Sequence, residues 1–225
     1  MTSRQPEPRL TKWGHACVRL EQAGVTLVID PGEYTEPRAL DGADAVLVTH
    51  EHADHFDESR LRAAAEADPA LRIWTNRSVA ARLDGLGSRV TVVGDGDTFD
   101  VDGIGVEVHG ELHQLVHPDL PRVPNVGFFL TGTVFHPGDA FTVPPSPVDT
   151  LLVPVQSPWS RTGEVIDYIR EIKPRLAVAV HDGGLSTMGC AVVNGIVGAT
   201  VGKDAVTSYV RLETAAPADL SRLPA

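Results

Sequence analysis

The stretch "VTHEHADHF", residues 48–56, closes an apolar run and sets His50, His52, Asp54 and His55 within six positions. In an extended chain, residues two apart point to the same side, so His50 and His52 face one point while Glu51 faces away. Ala53 is small and lets the chain turn, which aims Asp54 and His55 at a neighbouring point. Imidazoles and a carboxylate at that density predict metal ligation, and the two directions predict a second metal beside the first. The motif also constrains the fold: a buried strand has to end here, at the carboxyl edge of a sheet, where residues with chemistry gather in α/β proteins.

Apolar, often β-branched segments predict strands at 17–21, 25–30, 45–49, 72–75, 89–93 and 104–110, then at 126–130, 133–136, 150–155, 175–180 and 207–212. Helices are predicted over about 58–66, opened by Asp57 as N-cap, and over about 78–86, 162–172 and 185–199. Strands such as "AVLV" and "LAVAV" are apolar at every position and so read as buried on both faces. Two packed sheets with helices outside is the economical α/β arrangement. A rhythm of hairpin-linked strands followed by strand–helix alternation occurs twice, the second round beginning after "GTVFHPGDAF". With 225 residues and no low-complexity block, one domain over 1–225 is expected, residues 1–7 forming a flexible tail. Residues 110–125 are the longest stretch without a regular pattern, which marks a functional or mobile loop.

A net charge of -11 argues against a nucleic-acid partner, because phosphate binding draws on clustered Lys and Arg. No apolar run approaches the ~18 residues of a membrane helix, so no membrane partner is expected. The opening "MTSRQPEPRL" lacks the apolar region of a secretory signal, and the expected address is the cytoplasm. Cys17 and Cys190 sit among apolar neighbours and read as buried thiols. A homo-oligomer, through the helix "IDYIREIKP" for example, is left open.

H-x-H-x-D-H after a strand resembles the metallo-β-lactamase superfamily. The resemblance implies an αβ/βα four-layer sandwich: two mixed β-sheets with helices on the outer faces. It further implies a third histidine, a bridging aspartate and a last histidine, each at a strand end. For the third histidine, "VEVHGELHQLVHP" offers His113 first, His117 next and His109 last. Asp139 in "VFHPGDAF" stands for the bridging carboxylate and His181 in "LAVAVHDGG" for the last ligand. The amino-terminal "KWGHACVRLEQAGVTLVIDPG" is similar to relatives of ascorbate-6-phosphate lactonase and of the phospholipase D-like N-acylethanolamine enzymes, with Gly14-His15-Ala16 and Asp30-Pro31 in matching places. His15 then lines the site as a supporting or substrate group, or is a hydrogen-bonded core histidine. Asp30 orients the metal loop. Arg122 and Asn125 either shape the pocket or belong to a proline-stiffened loop, and Gln156 has an open role.

On this resemblance His50, His52 and His113 hold one ion, Asp54, His55 and His181 hold the other, and Asp139 bridges them. The chemistry implied is a hydrolase whose metal-bridging hydroxide attacks an ester, lactone or phosphodiester of a small intracellular metabolite, with a sugar-phosphate lactone as the nearest analogy. Asp54 would steer protons. Imidazole and carboxylate without thiolate suit two divalent ions per chain, zinc first, then manganese or iron. The alternative is a non-catalytic, metal-stabilised binding or sensing module of the same fold. An amidohydrolase barrel also uses H-x-H but needs roughly 250 residues or more.

Overall fold

In the computed structural model, which describes residues 8–204 and 206–223, strands β1 (Arg9–Lys12), β2 (Val18–Gln22), β3 (Val25–Ile29) and β4 (Ala45–Val48) lead to helix α1 (Glu58–Ala67). Then follow β5 (Arg72–Thr75), α2 (Arg77–Arg82) and β6 (Val90–Val92). The second round has β7 (Thr98–Val101), β8 (Ile104–His109), β9 (Gly127–Leu130), β10 (Val134–His136) and β11 (Thr150–Pro154). It continues with α3 (Thr162–Ile172), β12 (Leu176–Val180), α4 (Thr187–Val201) and β13 (Ser208–Val210), and β14 (Pro217–Asp219) follows. The tail expected over residues 1–7 lies outside the described residues.

Two seven-stranded sheets result, ordered β14-β1-β2-β3-β4-β5-β6 and β13-β12-β11-β10-β9-β8-β7. Each is mixed: β1–β3 and β7–β10 pair antiparallel, whereas β3–β6 and β10–β13 pair parallel. Side chains alternate across a strand, and here both faces are apolar for different partners. Leu27, Ile29, Ala45 and Leu47 pack inward with Phe128, Leu152, Val178 and Val180 of the facing sheet. Their neighbours Val28, Val46 and Val48 pack outward with Leu61 and Ala65 of α1 and Val79 of α2. On the far side Leu151, Val153, Ala177 and Ala179 meet Val165 and Ile169 of α3 and Val197 of α4. This is the four-layer αβ/βα sandwich expected from the sequence.

Asp57 caps α1 as expected, its Oδ1 accepting the Arg60 N–H at 3.0 Å. The helix expected over 78–86 is shorter, ending at Arg82, because Gly85 and Gly87 take positive φ and turn the chain out of the helix. The last helix runs 187–201 rather than 185–199, with Ser186 accepting the Gly189 N–H as N-cap. Strands β1, β7 and β14 were not anticipated: "RLTK", "TFDV" and "PAD" are short and half polar, and only their sheet partners make them strands. No helix among the described residues is long and apolar enough to cross a membrane.

Candidate metal centre

The carboxyl ends of the strands converge at one edge of the sandwich. Asp30 follows β3, His50 follows β4, Asp139 follows β10 and His181 follows β12. Four side chains, His50, His52, His113 and Asp139, each offer a ligand atom within 4.8 Å of the others; His15, Asp54, His55 and His181 do the same beside them. These are the first and second cradles below. Asp139 belongs to the first and reaches the second, its Oδ1 lying 3.1 Å from His55 Nε2 and its Oδ2 3.1 Å from His181 Nε2.

The imidazoles are oriented from behind, and hydrogen bonding decides which nitrogen faces in. His55 Nδ1 donates to Asp30 Oδ2 at 2.7 Å, and His113 Nδ1 donates to the Gln114 carbonyl at 2.5 Å. His181 Nδ1 donates to the Gln156 carbonyl. Thr49 Oγ1 spends its proton on Asp30 Oδ2 at 2.7 Å, so at 3.0 Å it accepts from His50 Nδ1. In its neutral form each of these four rings is thereby left with a bare Nε2 pointing inward. His15 is the reverse case. Its Nδ1 accepts the Gly183 N–H at 2.9 Å, so Nε2 carries the proton and donates it to Asp54 Oδ2 at 3.1 Å. Although His15 lies in the second cradle, a protonated Nε2 makes it a support for Asp54 and not a ligand.

Backbone strain and close approach concentrate at the same edge. Asp30 and His181 both sit in the left-handed region, at φ 52° and 58°, an uncommon conformation for such residues. A Cβ on Gly32 would stand 2.0 Å from the Asp54 carbonyl oxygen, so only glycine lets this turn lie under the H-x-H-x-D-H loop. Asn125 clamps the Pro137-Gly138-Asp139 turn, accepting the Asp139 N–H at 3.0 Å and donating to the Pro137 carbonyl at 2.9 Å. Arg122 donates its Nε–H to the His113 carbonyl. Arg122 and Asn125 thus hold ligand-bearing backbone. His117 is exposed, paired with Asp119, and His109 lies against Phe129 and Phe135, so His113 alone of the three candidates is brought to the cradles.

Three groups of this neighbourhood escaped the sequence reading. Trp159 Nε1 donates to Asp139 Oδ2 at 3.0 Å. Thr49 couples Asp30 to His50. Buried Lys12 donates to Asp182, the residue after His181, and Arg211 Nε reaches the same carboxylate at 2.6 Å. Only an aspartate abutting His181 hinted at that pair.

Without ions the two cradles differ in charge. Burial pushes the His50 imidazolium well below its ordinary pKa, and burial together with His113 lowers that of His52. Burial would lower His55 as well, but Asp139 and Asp30 outweigh it and raise its pKa well above the usual value. Burial also opposes charge on His181, which Asp139 and Asp54 nevertheless raise to about 9. Burial works to raise both carboxyls; His15 and His181 hold Asp54 below the usual range, and His55 and His181 hold Asp139 well below it.

Divalent ions fit this set. His55 Nε2, His113 Nε2, His181 Nε2 and Asp139 Oδ1 are buried and make no hydrogen bond, despite the short approaches to Asp139. Buried polar atoms left without partners are costly unless something else satisfies them. Nitrogen and oxygen donors without a thiolate, converging on two points, suit zinc, manganese or iron alike.

Residues 9–181 match a family described as the beta-lactamase superfamily domain. The chain is 33% identical over 179 residues to Mycobacterium tuberculosis protein Rv0786c, covering 77% of this chain and 83% of that one. It is 25% identical over 137 residues to a Methanocaldococcus jannaschii protein named as a UPF0173 metal-dependent hydrolase, covering 58% and 60%. Its fold is similar to that of a metallo hydrolase from Ignicoccus hospitalis, with a TM-score of 0.73 at 18% identity over 94% of this chain and 97% of the other.

Proposed function

The chain belongs to the beta-lactamase superfamily, and from that premise we propose that it is a metal-dependent hydrolase holding two divalent ions, zinc first, which cleaves an ester, lactone or phosphodiester of a small metabolite. The observation that carries this reading is the set of buried partnerless atoms on His55, His113, His181 and Asp139, all converging on two adjacent points. Ions bound there supply a water acidified towards neutral pH and polarise the bond to be cut.

The chain's own residues do the rest. Asp30, Thr49 and the carbonyls of Gln114 and Gln156 hold four imidazoles in the tautomer that presents Nε2. Asp139, tied by Trp159, spans both cradles. Asp54 is the carboxylate of the centre open to the outside, 26% exposed against 4% for Asp139. With His15 Nε2–H fixed on its Oδ2, Asp54 is placed to hold the proton that moves as the bond breaks.

The test is metal content per chain, measured by plasma mass spectrometry on protein purified without chelator or added metal, with a screen of generic esters, lactones and phosphodiesters. About two ions of zinc, manganese or iron are expected per chain, with hydrolysis that disappears in His52→Ala while circular dichroism is unchanged. A single ion that persists after metal is resupplied would remove the two-metal reading. A metal-replete chain inert to the whole screen would favour the binding or sensing module.

A further inference from the structure

The 110–125 loop forms a flap whose base is fixed to the first cradle. Gln114 N–H donates to the Asp139 carbonyl at 2.7 Å, His113 N–H to the Val123 carbonyl at 3.0 Å, and Asn125 N–H to the Glu111 carbonyl at 3.0 Å. Between these ties residues 115–122 are exposed. Leu112 and Leu115, 43% and 48% exposed, stand on either side of His113 in the chain, and Val116 and Leu120 follow at 38% and 52%. Beside the second cradle Tyr34 lies edge-on to His15, with ring centroids 5.7 Å apart, and is exposed as well.

Single apolar residues on a surface need no explanation. A group of them continuous with ligand-bearing backbone is different, because small-molecule sites are apolar walls around a few placed polar groups. Three cations of this neighbourhood already have partners within the protein. Arg122 donates to the His113 carbonyl, Arg60 to the Thr35 carbonyl at 2.8 Å, and Lys12 to Asp182. A phosphate or carboxylate on the substrate would find Lys12 and Arg60 already paired, with only the remaining guanidinium N–H groups of Arg122 open at this edge.

We infer that the substrate carries an uncharged apolar arm beside the bond that is cut, covered by Leu112, Leu115, Val116 and Leu120 of the flap. The inference rests on the hydrolase reading and narrows its substrate class: acyl or alkyl esters and lactones of medium chain length, in place of phosphorylated sugars.

Alkyl hydroxamates test it without turnover, since the head chelates a divalent ion and the arm can be lengthened. Zinc-loaded protein is titrated calorimetrically with acetohydroxamate, hexanohydroxamate and octanohydroxamate. Half-burying each methylene tightens binding about twofold, so the six that separate acetohydroxamate from octanohydroxamate predict a gain of roughly 60-fold. In the variant Leu115→Ser/Val116→Ser/Leu120→Ser, all surface changes, the gain should fall below about fivefold, with zinc content per chain as the check that the cradles are intact. Equal affinity along the series, a full gain retained by the variant, or no binding by any member would overturn the inference. p-Nitrophenyl acetate and octanoate separate the two claims. Cleavage without a chain-length gradient removes this inference alone, and a hydroxamate gradient without cleavage removes the ester-hydrolase reading alone.

Discussion

Replacing Asp30 by asparagine should disable the second cradle while sparing the fold. Asp30 is fully buried and accepts three hydrogen bonds: Thr49 N–H at 2.8 Å on Oδ1, Thr49 Oγ1 and His55 Nδ1 each at 2.7 Å on Oδ2. The amide of Asp30→Asn has the same shape and one acceptor, which the Thr49 N–H fixes at the Oδ1 position. Its NH2 group then faces the hydroxyl and the imidazole. The hydroxyl rotates to accept, which frees its own proton towards His50 Nδ1 and disturbs that ring too, while His55 can accept only by giving up its Nδ1 proton and carrying one on Nε2, the atom 3.1 Å from Asp139. A ring protonated at Nε2 is no longer a ligand. Metal-free protein loses a charged acceptor, about 1.5–3 kcal/mol, and regains about 1 kcal/mol from the amide–hydroxyl bond, a net cost of about 0.5–2 kcal/mol. Loss of such an orienting partner weakens metal binding about 10–100-fold. Competition against a chelator reads the affinity of the second ion, and long-range nitrogen–proton spectra read the His55 tautomer. If the second ion binds within threefold of wild type and the Nδ1 proton stays, Asp30 does not set the tautomer and the orientation argument is wrong.

Gly32→Ala places a Cβ 2.0 Å from the Asp54 carbonyl oxygen, so the ligand loop has to shift; uptake of the second ion should drop at least about tenfold, read by metal content after dialysis. Lys12→Met removes one of two cations from Asp182 and should cost about 2–3 kcal/mol in urea unfolding, below the 3–5 of a lone buried charge because Arg211 remains; Asp182→Leu, which strands Lys12, should cost more, and the double variant should recover part of that loss. Stability of chelator-treated protein should depend on pH through His181: its folded pKa of about 9 exceeds the unfolded value of ~6.5, so its contribution is complete below that unfolded value and vanishes as pH rises through about 9. Thermal melts from pH 6 to 10 should show that decline, and zinc-loaded protein should not, since the ion replaces the proton.

What could be read from the chain and what could not divide along a physical line. Leu27, Ile29 and Val28 sort to opposite cores because strict alternation is a local property, so sheets buried on both faces follow from single segments. Strands β7 and β14 are edges whose partners, not whose residues, make them strands. The ligand residue types were legible because metal chemistry restricts them so tightly, and the H-x-H-x-D-H spacing does its aiming within one turn. The groups that aim the rings were not legible. Backbone carbonyls of Gln114 and Gln156 have no sequence signature, and Lys12 meets Asp182 across 170 positions.

The pairing of β1 with β14 has a consequence for how the molecule is made. Arg9 lies opposite Asp219 and Thr11 opposite Pro217, and the Ala215 N–H closes on the Lys12 carbonyl at 2.8 Å. On a ribosome adding about 5–20 residues per second, β1 waits roughly 10–40 s for that partner to be synthesised. Its outer edge meanwhile stays an open template for pairing with other chains. His15, three residues past Lys12, likewise waits for Gly183 and the His181 turn. Assembly of the metal centre is therefore a late event in vectorial synthesis, and the interval before it is when a nascent chain of this kind is most exposed to misassociation.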